Sequence, residues 1–430
     1  MSGLAPLRVR DYRLLLFGLV VSSSLMPLQF VTQIFWIQEN VSADSVIIFV
    51  GLIGSIRGVG ALTFGLYGGA LADRFDRRRL LMCTQSAGIV LNLSVASVMW
   101  LSDGGAGALA LFFGLTLLAA GTAAIDLPTR QAMVPEILGP RLLPAGISLN
   151  TAGAQLAMPV SLFASGLLID ALGFAGTFAL SGLGLACEVA MLSLMRFRPE
   201  PRSARSGRYG FRKTFVDVRE GIRYTRANPT VQWVILLMVA MMALGFPAVA
   251  NLGPTWITTA VGVSFRHFGF VAVTWGIGAF LGSIAMTRFG GFERKGLLLS
   301  IGAVAFAAGF IVFAIPTVPT AVAGNLVLGA GLATAQISAT TLIQLIVPNE
   351  VRGRVMSLFQ MNMAVAQLLT LPLALVAQAT SLEVVFPSLA LADMLLVLAI
   401  AVRQRRRLGA AGRGARTAGA EPVLQPSASS

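Results

Sequence analysis

The stretch GGALADRFDRRRLL, Gly68 to Leu81, decides how the rest of the chain reads. An apolar run enters it. A charge-dense turn follows, with Asp73 and Asp76 set among Arg74, Arg77, Arg78 and Arg79, and a second apolar run leaves it. A water-soluble core has no place for two long apolar segments bracketing so polar a turn. Two membrane-crossing helices joined at one face of a bilayer require that pattern.

Composition extends this reading to the whole chain. Of 430 residues, 56% are hydrophobic and 12% charged, and mean hydropathy is +0.80. Soluble domains carry about 25% charged residues. Runs of about 20 apolar residues match a hydrocarbon core roughly 30 Å thick. Within it only helices and closed barrels satisfy their backbone hydrogen bonds. The runs here are too long for barrel strands and do not alternate, so the expected class is an all-α membrane protein.

We read twelve spans: 12–38, 45–72, 80–101, 106–130, 144–171, 173–195, 231–260, 265–288, 297–315, 319–347, 355–380 and 382–402. The expected organisation is a six-helix bundle over 1–195, a basic linker over 196–230, a second bundle over 231–402 and a disordered tail over 403–430. The basic N-terminal segment leads into an apolar run too long for a cleavable signal, so it is expected to remain as span one.

The net charge of +14 raises nucleic acid as a partner. However, the Lys and Arg residues gather in alternate connections and in the tail, while Glu39, Asp44, Asp103, Asp170 and Glu383 occupy the opposite turns with Arg266 as the basic exception. This is the positive-inside pattern. It predicts both termini in the cytoplasm and a lipid bilayer, not nucleic acid, as the partner. Cys83 and Cys187 fall within spans and are expected as buried free thiols. His267 lies in a short outer connection. No G-x-x-x-x-G-K-[ST] loop and no His/Cys cluster occurs, so nucleotide, metal and bound cofactor are not expected.

The chain also repeats. TRQAMVPEILGPRLL (Thr129–Leu143) has a counterpart in TLIQLIVPNEVRGRV (Thr341–Val355), and GALADRF from Gly69 has a worn echo in GSIAMTRF from Gly282. Two such halves predict a transporter that rocks one against the other. The glycines at 54, 58, 65 and 69 form small-xxx-small pairs in span two, suited to close helix contact.

Several residues stand out within the spans. Arg57 falls near the middle of span two, where a guanidinium costs about 2.5–3.5 kcal/mol on insertion scales. It calls for an anionic substrate group, a coupling carboxylate or a structural ion pair. Glu188 in span six and Asp393 in span twelve are intramembrane acids that could carry a proton or serve as packing residues.

At this point the residues resemble the major facilitator superfamily. GGALADRFDRRR is similar to its Gly-x-x-x-Asp-Arg-x-Gly-Arg-Arg turn between spans two and three. Gly69, Asp73, Arg74, Arg77 and Arg78 match, with Asp76 in place of Gly. The segment Ile125–Asn150 resembles a bacterial branch that includes enterobactin-type siderophore exporters and macrolide exporters. The Gly-Pro signature of drug/proton antiporters is only partly present, because Met158 precedes Pro159. The resemblance covers most of residues 8–402.

The resemblance implies a twelve-helix transporter of two pseudo-symmetric six-helix bundles, and not an enzyme. It implies a gating group of Gly69, Asp73, Arg74, Arg77, Arg78, Asp126 and Arg130. In that group Asp73 caps span eleven near Val355, and Asp126 pairs with a motif arginine, Arg78 first. It also implies a cavity between spans one, four, seven and ten. Candidate contacts there, beside Arg57, are Met26, Gln29, Gln33, Trp36, Asn251, Thr255, Trp256, Asn325, Gln336 and Thr340. Spans six and twelve, with Glu188 and Asp393, belong to the outer scaffold.

The expected function is proton-coupled export of a small amphiphilic molecule, such as a siderophore, secondary metabolite or drug, across a bacterial inner (plasma) membrane. A specialised internal membrane is the alternative location. The alternatives for function are an importer or facilitator of an ionic solute such as iron, and a non-transporting scaffold or sensor. Substrate identity and oligomeric state are not legible in the residues.

Overall fold

The computed structural model describes residues 4–102, 104–197, 211–288 and 294–403, and the side chains of all of these except 66–70, 72–74, 127, 211–218 and 349–350. Among the described residues there is no strand. Ten helical runs are long and apolar enough to cross a membrane. The longest, Ala106–Leu194, is broken by positive φ at Gly139 (64°) and Gly173 (67°), so it contributes three rods and the total is twelve.

We number the rods in chain order. They are α1 (Arg10–Asn40), α2 (Val46–Arg74), α3 (Arg77–Leu101), α4 to α6 (106–138, 140–172 and 174–194), α7 (Pro229–Thr259), α8 (Phe265–Arg288), α9 (Lys295–Phe313), α10 (Val318–Ile346), α11 (Val351–Ala379) and α12 (Leu382–Arg403). They occupy the twelve expected spans. The main shift is at the end of α4, which runs eight residues past the expected 130. Its turn into α5 is Gly139 alone, because a glycine adopts the left-handed conformation without penalty and Pro140 has a ring suited to the first helical position.

Local sequence sets the other rod ends. Asp76 caps α3 by accepting from the Arg79 amide at 2.9 Å. Asn228 caps α7 by accepting from Thr230 and Val231, with Pro229 in the first turn. The linker contains a helix, Phe211–Ala227, whose Glu220 pairs with Arg354 of α11 at 2.5 Å. The part of the linker before 211 and the tail beyond 403 lie outside the described residues.

Rods α1–α6 form one bundle and α7–α12 the other. α2 packs on α11, and α5 on α8. The outer surface carries exposed apolar side chains such as Val90, Trp100 and Leu395. Cys83 and Cys187 lie on exposed surface as well. This corrects the expectation of buried thiols, because a thiol is apolar enough for either lipid or core. His267 is exposed in the first turn of α8, with Nδ1 2.8 Å from the Ser264 hydroxyl.

Two rods depart from regular α geometry. α7 contains a π-helical turn, Pro247–Leu252, and α11 is interrupted at Leu369. The two irregularities meet, with Asn251 Nδ2 donating to Thr370 Oγ1 at 2.6 Å.

Candidate functional site

The end of the molecule that carries the 73–79 turn is here called the basic end. The side chains of Gly69, Asp73 and Arg74 lie outside the described set, so the expected cap on α11 does too. The rest of the turn is well anchored. Arg77, buried, donates to Ala132 O at 3.0 Å and pairs with Glu136 at 2.6 Å. Arg78 donates to Leu192 O and Ser193 O at 2.8 and 2.7 Å, in the last turn of α6 where carbonyls lack a full set of intrahelical partners. Asp11 accepts from the amides of Arg196 and Phe197, both at 3.0 Å. Arg77 and Arg78 therefore bind α4 and the end of α6. Nearby, the Tyr12 hydroxyl donates to Gly146 O at 2.7 Å and lies 2.9 Å from Asn150, inside the Ile125–Asn150 segment.

Asp126 does not pair with Arg78. It accepts from Gln85 Nε2 at 2.7 Å and pairs with Arg130 at 3.2 Å, one helical turn away. The same guanidinium pairs with Glu188 of α6. This corrects the expected pairing of Asp126 with Arg78, because the rotation of α4 turns Asp126 toward Arg130 and Gln85. All four side chains are buried, Glu188 and Arg130 almost completely. Arg130 Nη1 also approaches Leu15 O of α1 at 3.5 Å. Gly18 permits this crossing, since a Cβ there would stand 3.2 Å from both Arg130 Nη1 and Glu188 Cγ. Gln85 and Gly18 had no signal in the sequence beyond being small or polar on an apolar rod.

Asp393 is the contrasting acid. It is wholly buried in α12, and among the described residues neither carboxyl oxygen has a hydrogen-bond partner. It faces Gly245 of α7.

A second polar group forms between α1, α2 and α4. Gln33 Nε2 donates to Thr116 Oγ1 at 3.1 Å, and its Oε1 accepts from Arg57 Nη1 at 3.4 Å. The Arg57 guanidinium lies over the Phe30 ring, 5.0 Å from its centroid. Among the described residues no carboxylate pairs with it.

The remaining expected cavity residues divide. Trp36 is buried and stacked on Phe112 at 5.0 Å. Asn325 is buried and donates to Val271 O of α8 at 3.2 Å. Trp256 donates to Phe313 O at 3.1 Å and stacks on Phe386. These contacts and the Asn251–Thr370 bond each lie within one bundle, and Asn325, Trp256 and Asn251 each spend an N–H on a neighbour there. Gln29, Gln336 and Thr340 are half-buried, and Met26 is 54% exposed.

The seam between bundles has a clear polarity. Gly51, Gly54 and Gly58 of α2 abut α11. A Cβ at Gly58 would lie 2.9 Å from Leu368 N and 3.0 Å from Ala364 O. Ser55 Oγ donates to Leu368 O at 2.9 Å and accepts from Leu371 N at 3.0 Å, so it fills the break at Leu369. Gln38 donates to Thr255 at 2.8 Å and accepts from Thr258 at 3.1 Å. Phe35 stacks on Phe265 at 4.4 Å, and Asp170 pairs with Arg266 at 3.6 Å. Among the described residues, the hydrogen bonds, ring contacts and ion pairs joining the bundles lie between mid-depth and the end opposite the basic one. The bundles are sealed there.

Twelve apolar rods in two bundles, with polar groups at mid-depth, make a multi-pass membrane protein, and the family match makes it a transporter. The chain belongs to the Major Facilitator Superfamily, whose family model matches residues 14–413. None of the curated proteins matches the sequence. Similar solved structures include the nucleoside transporter NupG (TM-score 0.74, 13% identity, 92% of this chain and 99% of that one). A peptide transporter POT in complex with alafosfalin is also similar (0.70, 15%, 94% and 96%). So is a D-xylose-proton symporter (0.66, 15%, 91% and 95%). At these identities the likeness is one of fold.

Proposed function

We propose that this chain is a secondary active transporter that exports a small amphiphilic molecule in exchange for protons by alternating access. Siderophores, other secondary metabolites and drugs are the substrate classes in view. The location is a bacterial inner membrane with both termini cytoplasmic, on the strength of the Arg-rich connections at the basic end. The seal then closes the outer face, and the Gly69–Arg78 turn is the latch that re-engages when the inner face closes.

One observation carries the reading. Asp126 and Glu188 converge on the single guanidinium of Arg130 in a site closed to water. Two carboxylates on one cation leave one negative charge uncompensated. Burying such a charge costs several kcal/mol unless it is neutralised, and a proton is the smallest ion that can do so. Loading and release of that proton would alter the grip of α4 on α6 in step with the rocking of the bundles. The direction of transport rests on the resemblance of Ile125–Asn150 to siderophore and macrolide exporters.

Metabolite profiling of a deletion strain, cells against medium, with iron replete and iron starved, tests the proposal. Export predicts a compound that accumulates inside and disappears outside, with the wild-type distribution restored by the native gene and not by Asp73→Asn. A compound depleted inside and left in the medium would replace export by uptake. An Asp73→Asn gene that restores the cellular phenotype without moving any compound would indicate a scaffold.

A further inference from the structure

Among the described residues, Arg130 in mid-bundle is paired with carboxylates and Arg57 is not. Arg130 has Asp126 and Glu188. Arg57 has a single 3.4 Å bond to Gln33 and the face of Phe30. A guanidinium carries five N–H donors, so most of Arg57's are unspent. It is eleven residues into α2 from Val46, about 16 Å at the helical rise of 1.5 Å per residue. That is the middle of a hydrocarbon core roughly 30 Å thick, beyond the level of lipid headgroups.

The surroundings hold the group ready. Gln33 is fixed by Thr116, whose own hydroxyl is anchored to Phe112 O at 2.8 Å, so its carbonyl oxygen points at Arg57. Phe30 supports the guanidinium plane from one side. Gly58, the next residue, abuts α11 of the other bundle. An occupant of Arg57 would therefore lie beside the moving seam. On α1 the residues Met26, Gln29, Phe30 and Gln33 share one face at helical spacing. Met26, one turn nearer the basic end, is 54% exposed. Met26 therefore offers an accessible reporter position on the face of α1 that carries Phe30 and Gln33.

We infer that Arg57, held by Gln33 over Phe30, binds the anionic group, a carboxylate or phosphate, of the transported molecule. The planar fork of donors suits either oxyanion. Phe30 and Met26 offer apolar surface to an aromatic or aliphatic body. The inference deepens the transport reading and rests on it, but its test reads binding and needs no flux.

The experiment places a reporter thiol at Met26→Cys in a Cys83→Ser, Cys187→Ser background in lipid nanodiscs. Anionic sulfonatoethyl and cationic trimethylammonium-ethyl methanethiosulfonates are compared for labelling rate. With Arg57 present, the anionic reagent is expected to gain at least about fivefold over the cationic one, relative to Arg57→Gln, from the unscreened positive charge. Phenyl phosphate and benzoate should slow labelling when Arg57 is present and not in Arg57→Gln, and benzyl alcohol should slow neither. Arg57→Lys keeps the charge and loses the fork. It should retain the reagent preference and need about tenfold more phenyl phosphate for protection, which keeps the test decisive if Arg57→Gln folds poorly. An unchanged rate ratio, equal protection by benzyl alcohol, or a thiol inert to both reagents would each overturn the inference. Metabolite profiling fails or succeeds independently of these readouts.

Discussion

Buried charge dominates at the scale of single residues. Arg130 is shared by two carboxylates, so removing the cation should harm the fold far more than removing one anion. Arg130→Met leaves Asp126 and Glu188 facing each other in a site closed to water, and is expected to lower stability by about 3–5 kcal/mol. Glu188→Gln keeps the shape and leaves Arg130 paired with Asp126, and should cost less than half of that. Thermal unfolding in nanodiscs checks both, and equal losses would refute the shared-cation arrangement. Asp393→Asn is expected to stay within about 1.5 kcal/mol of wild type in the same assay, because no pairing is lost and the side-chain volume is kept. A drop of several kcal/mol there would mean that the acid has a charged partner. Arg130, Asp126, Glu188 and Asp393 were all legible as unusual residues on apolar rods. Their pairing was not: Arg78 was the expected partner of Asp126, and only the rotation of α4 brings Arg130 to it instead.

The α2–α11 contact is the one that matters at the scale of elements. Gly54 and Gly58 were legible as a close-contact pair because small residues four apart share a helix face. Gly65, of the same series, meets only Ala124 at 4.0 Å. Ser55 gave no signal, since its value depends on a break at Leu369 in a rod more than 300 residues away. A side chain at 58 would push α11 off. Overpacking of this kind costs about 1–3 kcal/mol, charged to the sealed state alone. Gly58→Val should therefore lower cross-linking between Gln38→Cys and Thr255→Cys by at least about fivefold with a bifunctional thiol reagent. An undiminished yield would show that α2 and α11 do not set the seal.

Across the whole molecule, two bundles whose described polar and ring contacts gather toward one end can move as two bodies, which is the requirement for alternating access. Covalently joining Gln38→Cys to Thr255→Cys holds the sealed end shut. The prediction is that cross-linked cells show the compound distribution of the deletion strain, and that reducing the link restores the wild-type distribution. Continued transport through the linked protein would rule out rocking about this seam. The pseudo-repeat that announced two halves was visible as Val-Pro at 134–135 and 347–348. Which end is closed was not, because both states of a two-body machine share one sequence.

By itself the sequence determined the class, the twelve rods and the family. Apolar length, turn charge and the Gly68–Leu81 motif are local properties, read a few residues at a time, and the bilayer enforces them on each rod separately. Tertiary structure alone decided which charges meet, which glutamine orients Arg57 and which end is sealed. These depend on how each rod is rotated about its own axis. A rod that is apolar on every side, as most of these are, carries no stripe to specify that rotation, so only packing against its neighbours can set it.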